Sequence, residues 1–179
     1  MTEPFIRRYE ADDRDDLAYV CLLTGDSGTD ARGLHRDDSI VADVFCLPYL
    51  DFAPELAFVI DDGTGTAVGY IIRVADTDAF YRRFAEGWRP PLAARYPVST
   101  PPADTQDRWV LDASGTRTNE QPEYPAHLHI DMLPAAQGRG FGRALIETML
   151  DALRDRGVPG VHLGASAENT GALAFYPRV

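Results

Sequence analysis

The chain has 179 residues, the size of one domain and too few for two comfortable ones, so one core should hold the whole function. Its 28 acidic residues against 17 basic ones leave a net charge of −11, which opposes binding to phosphate backbones or anionic lipid, so neither nucleic acid nor a membrane is an expected partner. With 45% hydrophobic residues it can bury a proper core, and no apolar run approaches the roughly 20 residues that cross a bilayer.

Met1 to Arg8 has no apolar stretch behind a basic head, so a secretory signal is not expected. Phe5 to Tyr9 predicts a first strand. Asp12 or Asp13 then caps a helix with Leu17, Val20, Cys21 and Leu23 on its apolar side, ended by Gly25. The acidic run from Asp12 to Asp16 is most simply a solvated helix start. Beyond the polar stretch Gly25 to His35, Ile40, Val41, Val44, Phe45 and Leu47 recur at helical spacing until Pro48 stops them. Glu55 to Ile60 and Ala67 to Val74 are rich in strand formers and should pair antiparallel around the loop Asp61 to Thr66.

Thr77 or Asp78 can cap a short helix that runs to Phe84. From Gly87 to Tyr124 the chain is rich in proline and carries little periodicity, which predicts a substrate-side flap rather than a linker. Ala126 to Met132 reads as a strand, and Gly140 to Arg156 as the strongest helix, with Phe141, Leu145, Ile146, Met149, Leu150 and Leu153 facing inward and Gly157 as its stop. Pro159 to Ala165 predicts a further strand and Glu168 to Tyr176 a last short helix. Cys21 and Cys46 sit in apolar helical contexts without zinc spacing, and fit buried, reduced thiols of a cytosolic protein. The expected architecture is a single α/β domain over residues 1–179, of the α+β kind, with the flap at about 87–124.

The chemistry concentrates between the strand at 126–132 and the helix that follows. In Gln137-Gly138-Arg139-Gly140-Phe141-Gly142-Arg143, three glycines let the backbone approach a ligand closely, and the helix start aims unpaired N–H groups at it. That makes an anion cradle. Its spacing is neither a Rossmann fingerprint, since Arg143 stands where a glycine is needed, nor a Walker loop, since no Gly-Lys-Ser/Thr follows.

This loop resembles the Gln/Arg-x-x-Gly-x-Gly/Ala loop of the GNAT superfamily of acetyl-CoA-dependent N-acetyltransferases. Downstream, Glu168-Asn169-Thr170-Gly171-Ala172-Leu173-Ala174-Phe175-Tyr176 is similar to that superfamily's Asn-x-x-Ala-x-x-Phe-Tyr helix. The resemblance implies a mixed, mostly antiparallel sheet whose central strands splay apart to form a slot for acetyl-CoA. A closer similarity, to bacterial relatives of the acetyltransferase-like C-terminal domain of O-GlcNAcase, rests on Ile6-Arg7-Arg8-Tyr9, on the flap from Phe84-Ala85-Glu86-Gly87-Trp88 to Tyr124-Pro125, and on Ile130-Asp131-Met132. This similarity weakens the expectation of catalysis, since members of that group are not uniformly thought to be active enzymes.

By this resemblance the cofactor-binding residues are the backbone of Ile130, Met132 and Leu133, the loop Gln137, Gly138, Arg139, Gly140, Phe141, Gly142 and Arg143, and Asn169, which bonds the CoA arm or caps the helix. Tyr176 matches the general acid for the departing thiolate, a job that a protonated phenol can do. Ala126 stands where many of these enzymes keep a glutamate base. Strand alternation puts His127, His129 and Asp131 on one face, so Asp131 or His129 is left to work as base through water, against the plainer reading of a hydrogen-bonded structural residue. The same pattern permits a metal, which this chemistry does not ask for. Together with the acidic run from Asp12 to Asp16, Asp26, Asp30, Asp37 and Asp38 near the expected acceptor mouth would favour a cationic amine. The Gly-Phe turn and last hairpin usual after the Phe-Tyr helix do not follow Pro177-Arg178-Val179, which predicts an open sheet edge in a truncated chain, a natural variant, or a chain completed by a partner such as a second copy. The expected reaction is acetyl transfer from acetyl-CoA to an amine. The alternative is a non-catalytic acetyl-CoA-binding or interaction domain.

Overall fold

A computed structural model describes residues 3–97, 107, 110–111 and 121–179. Five strands lie in the order of the chain: β1 (Phe5–Arg8), β2 (Phe58–Asp61), β3 (Ala67–Val74), β4 (Ala126–Met132) and β5 (Val161–His162). The first three pairings are antiparallel and β4 with β5 is parallel, as the mixed sheet requires. Alternation along the strands divides the core into two layers. Val59, Tyr70, Ile72 and Val74 face one cluster, built with α1 (Arg14–Thr24), α2 (Ser39–Phe45), α3 (Leu47–Phe52), α4 (Thr77–Arg83) and α5 (Arg89–Arg95). Phe58, Ile60, Ile71 and Leu128 face the other, where α6 (Phe141–Arg154) inserts Leu145, Ile146, Met149 and Leu153. A last helix, α7 (Thr170–Phe175), runs into a 3₁₀ turn at Tyr176–Arg178. Among the described residues no helix is long and apolar enough to cross a membrane.

Several expectations need correction. Asp13 is no solvated cap. It is buried, pairs with Arg7 at 2.7 Å and accepts the Glu10 N–H, so the capping box lies one turn before α1. Asp16 is also engaged, accepting the Ala67 N–H at 2.9 Å. Pro48 does not end the helical run but sits in the first turn of α3, where its missing N–H leaves no bond unmade. Glu55 and Leu56 form a 3₁₀ turn ahead of β2, and Asp76, one residue earlier than expected, caps α4 by accepting the Ala79 N–H at 2.8 Å. The strand expected from Pro159 to Ala165 shrinks to two residues.

The start of the expected flap is helical. Phe84–Trp88 makes a π turn that leads into α5, with Pro90 and Pro91 in that helix's first turn. The segment is tied to α2 through one residue: Trp88 Nε1 donates to the Asp43 carbonyl at 2.7 Å, and Arg95 and Tyr96 donate to the Asp43 carboxylate at 2.8 and 2.6 Å. Farther along, the buried carboxylate of Asp107 takes Arg36 Nε at 2.6 Å and faces His35 Nδ1 at 3.1 Å. Residues 98–106, 108–109 and 112–120 of the flap, Trp109 among them, lie outside the described residues.

Candidate functional site

The pairing of β4 with β5 covers only Ala126 with Val161 and His127 with His162. The Ala126 N–H donates to the Gly160 carbonyl on the β5 side, and Leu133 N–H donates to Val68 on the β3 side. Backbone groups alternate between the two edges of a strand. Ile130 and Met132 therefore share the edge of Ala126, past the point where β5 has diverged, and their backbone groups face the gap. Leu133 has the opposite parity, so its N–H is spent within the sheet and the expected cofactor contact there is withdrawn.

At the mouth of this gap the loop forms a left-handed entrance to α6, with Gly138 at φ 71° and Gly140 at φ 85°. A Cβ at either would meet no protein atom within 4 Å, so the space beside them is open. The first helical bond runs from Ala144 N to Gly140 O, leaving the N–H groups of Phe141, Gly142 and Arg143 ahead of it at the positive end of the helix. Gly142 serves a different end: a Cβ there would come within 3.0 Å of Phe175, so this glycine lets α7 lie against α6. Gln137 sends its side-chain amide back to the Met132 carbonyl at 3.0 Å, and Arg139 stacks over the Phe141 ring at 5.6 Å, outside the cleft lining.

These pieces line one cleft of about 870 Å³, which brings together Ile130, Asp131, Met132, Gln137, Gly138, Gly140, Gly142, Arg143, Asn169 and Tyr176. Leu133, Arg139 and Phe141 are not among its lining residues. Asn169 caps α7, accepting the Ala172 N–H at 2.9 Å. Tyr176 is half-buried, and burial, followed by the nearby Asp131 carboxylate, pushes its pKa up to about 12. Asp131 lies on the cleft floor and accepts the Tyr70 hydroxyl at 2.7 Å. Burial raises its pKa against the opposing hydrogen bonds from Tyr70 and Thr24. In the sequence Tyr70 reads as a strand former only; its pairing with Asp131 across the β3–β4 register is the signal that an alignment of the two strands supplies.

The other two residues of that face form a directed chain. Thr77 donates its hydroxyl to the Pro125 carbonyl at 2.7 Å, so its oxygen accepts from His127 Nδ1 at 2.8 Å. His127 Nε2 then carries the lone pair that accepts the Tyr49 hydroxyl at 2.8 Å, and Tyr49 in turn accepts from His129 Nε2 at 3.0 Å. Both Nε2 atoms are directed at one phenol. Of the acidic residues expected at the acceptor mouth, Asp30 pairs with Arg32, Asp37 accepts the Ser39 N–H and Asp38 the Gly33 N–H, so these three are engaged in local turns.

The acetyltransferase (GNAT) family model matches residues 30–179. The chain belongs to that family. It is similar to a protein of solved structure named SsHAT, with 44% identity and a TM-score of 0.92 over 99% of this chain and 90% of that one. It is also similar to the mycothiol acetyltransferase of Rhodococcus erythropolis (strain PR4 / NBRC 100887), with 36% identity over 101 residues, or 54% of this chain and 32% of the relative. The chain thus spans about a third of the length of the curated relatives that it matches. A GNAT family acetyltransferase from Brucella melitensis, solved in complex with acetyl-CoA, shares the fold at 18% identity and a TM-score of 0.50, over 99% of this chain and 82% of that one.

Proposed function

We propose that this protein transfers an acetyl group from acetyl-CoA to an amine by direct attack within a ternary complex. The observation that carries the reading is the coincidence, in one cleft, of the glycine cradle, the edge of β4 beyond its pairing with β5 and Tyr176. The residues fit the donor molecule. The N–H groups ahead of α6 and the open space beside Gly138 and Gly140 suit a pyrophosphate, and the edge at Ile130 and Met132 suits the amide-bearing arm and the acetyl carbonyl. When bound, acetyl-CoA supplies an activated thioester carbonyl.

The chain's own groups do the rest. Asp131 draws the amine to the cleft floor and takes its proton, for which a carboxylate with a raised pKa is the better base. Ile130 polarises the carbonyl through its backbone N–H. Tyr176 gives its proton to the departing sulfur as the new C–N bond forms and the C–S bond breaks. A finer relationship is proposed on the residues that suggested it, to bacterial relatives of the O-GlcNAcase C-terminal domain. One observation favours the second reading, a non-catalytic acetyl-CoA-binding domain: Ala126, fully buried, occupies the place of the glutamate base usual in the family.

Calorimetric titration with acetyl-CoA, followed on the same sample by a thiol-release assay over a panel of amines, separates the two. Binding with turnover supports the enzyme, and binding without turnover on any amine supports the second reading. No binding rejects both.

A further inference from the structure

At the end of the sheet remote from the cleft, Arg73 of β3 is fully buried, on the face that packs against α6. Its Nη1 donates to the Leu56 carbonyl at 2.5 Å, and its guanidinium lies over the Phe58 ring at 5.2 Å. Nε and Nη2 have no partner among the described residues. Those two nitrogens form one edge of the guanidinium, the parallel pair of donors that fits an oxyanion through two hydrogen bonds at once. Burying a guanidinium with that edge unsatisfied is costly, and a fold normally sets a carboxylate against it. Here the neighbours have the wrong sign. Arg8 stacks on the same Phe58 ring at 5.3 Å and gives a hydrogen bond to the Glu55 carbonyl, and Arg156, just past α6, spends one bond on the Ala152 carbonyl.

Burial, then the charges of Arg156 and Arg8, push the pKa of Arg73 down to about 10, with only Glu55 opposing them. No ion pair holds any of the three arginines among the described residues. Arg8 and Arg156 are themselves exposed.

We propose that Arg8, Arg73 and Arg156 form a binding site for a small oxyanion of the phosphate or sulfate class, separate from the cofactor cradle. The anion would take the Nε–Nη2 edge of Arg73, and the two exposed arginines would close over it. The length of α6, about 1.5 Å per residue over its 14 residues, puts roughly 20 Å between this site and the loop at the helix start.

The test is thermal melting of the full chain with saturating acetyl-CoA present, so that the glycine loop is filled, titrated with inorganic phosphate and separately with sulfate at constant ionic strength in chloride. Wild type should gain stability along a saturable curve with one or both anions. Arg8→Gln and Arg156→Gln should each move the half-saturation point up by about tenfold, the loss of a charge-assisted contact. Arg73→Met should abolish the saturable component; if that variant does not fold, the two surface variants decide. A wild type that responds no more to phosphate or sulfate than to chloride overturns the site, as does a saturable response unchanged in both surface variants. Acetyl transfer is not the readout, so the proposal stands or falls apart from the proposed function.

Discussion

Tyr176 holds its proton throughout the neutral range, because burial and the Asp131 carboxylate both disfavour the phenolate. A phenol of this kind cannot act as a base at pH 7, but it can donate to a thiolate that forms beside it. Tyr176→Phe keeps the ring and its contact with Phe175. Acetyl-CoA affinity should survive while the rate of the chemical step falls by about 10²–10⁴-fold, the usual share of a general acid. Full turnover in the variant, with chemistry rate-limiting, would return Tyr176 to a packing role. The histidine chain makes a second residue-level prediction. Nitrogen NMR near pH 8 should find His127 protonated at Nδ1 and His129 at Nε2, opposite tautomers on neighbouring same-face positions. Tyr49→Phe removes the phenol that sets them, and the His129 preference should weaken. Identical tautomers in the wild type would break the directed chain.

At the scale of elements, the three loop glycines divide by physical duty. Gly138 and Gly140 hold left-handed backbone beside open space, while Gly142 makes room for Phe175. Gly140→Val should weaken acetyl-CoA binding by at least about tenfold, or 1.4 kcal/mol, since its Cβ enters the space assigned to the pyrophosphate. Gly142→Ala should act instead on stability, by about 1–3 kcal/mol of overpacking, because α7 must move off α6. Calorimetry and melting on both variants separate the two duties, and equal effects on binding would merge them. The loop and the bounds of β3 and β4 were legible because their signals are local: glycine spacing in one case, strand-forming side chains along a continuous run in the other. What was not legible depends on partners. Pro159 to Ala165 has strand composition throughout, yet only Val161–His162 pairs, since the adjoining edge of β4 diverges from it. Pro48 reads as a stop and Pro90 and Pro91 as part of an aperiodic flap, and their first-turn positions in α3 and α5 are set by helices packing on the sheet. Asp13 looked like one of a solvated run until the fold brought Arg7 to it.

For the molecule as a whole, its buried carboxylates make opposing contributions to stability against pH. Burial pushes Asp13 and Asp61 up, but the hydrogen bonds from Arg7 outweigh it, joined by the backbone of Glu10 on Asp13 and of Gly63 and Gly65 on Asp61, so both titrate below the usual carboxylate range. A depressed value in the folded state means that this stability is complete above the unfolded pKa of about 4 and is lost as the pH falls through the folded value. Asp131 has the opposite sign. Its folded pKa is raised by burial, so the folded chain binds that proton more tightly than the unfolded one, and stability falls as pH rises from the unfolded value through the folded one. Asp61→Asn should therefore lower the melting temperature at pH 7, by the equivalent of about 1–2 kcal/mol for the charge-assisted bond that Arg7 loses while it keeps Asp13, and flatten the acid limb below pH 4. Asp131→Asn should raise the melting temperature at pH 7, leave it nearly unchanged at pH 3, and still reduce acetyl transfer, because a group held at a raised pKa for chemistry is held at the expense of the fold. Melting curves from pH 3 to 8 on the three proteins test both signs at once. A lower melting temperature for Asp131→Asn at pH 7 would show that the carboxylate stabilises the floor of the cleft, and its place as a strained base would pass to another group.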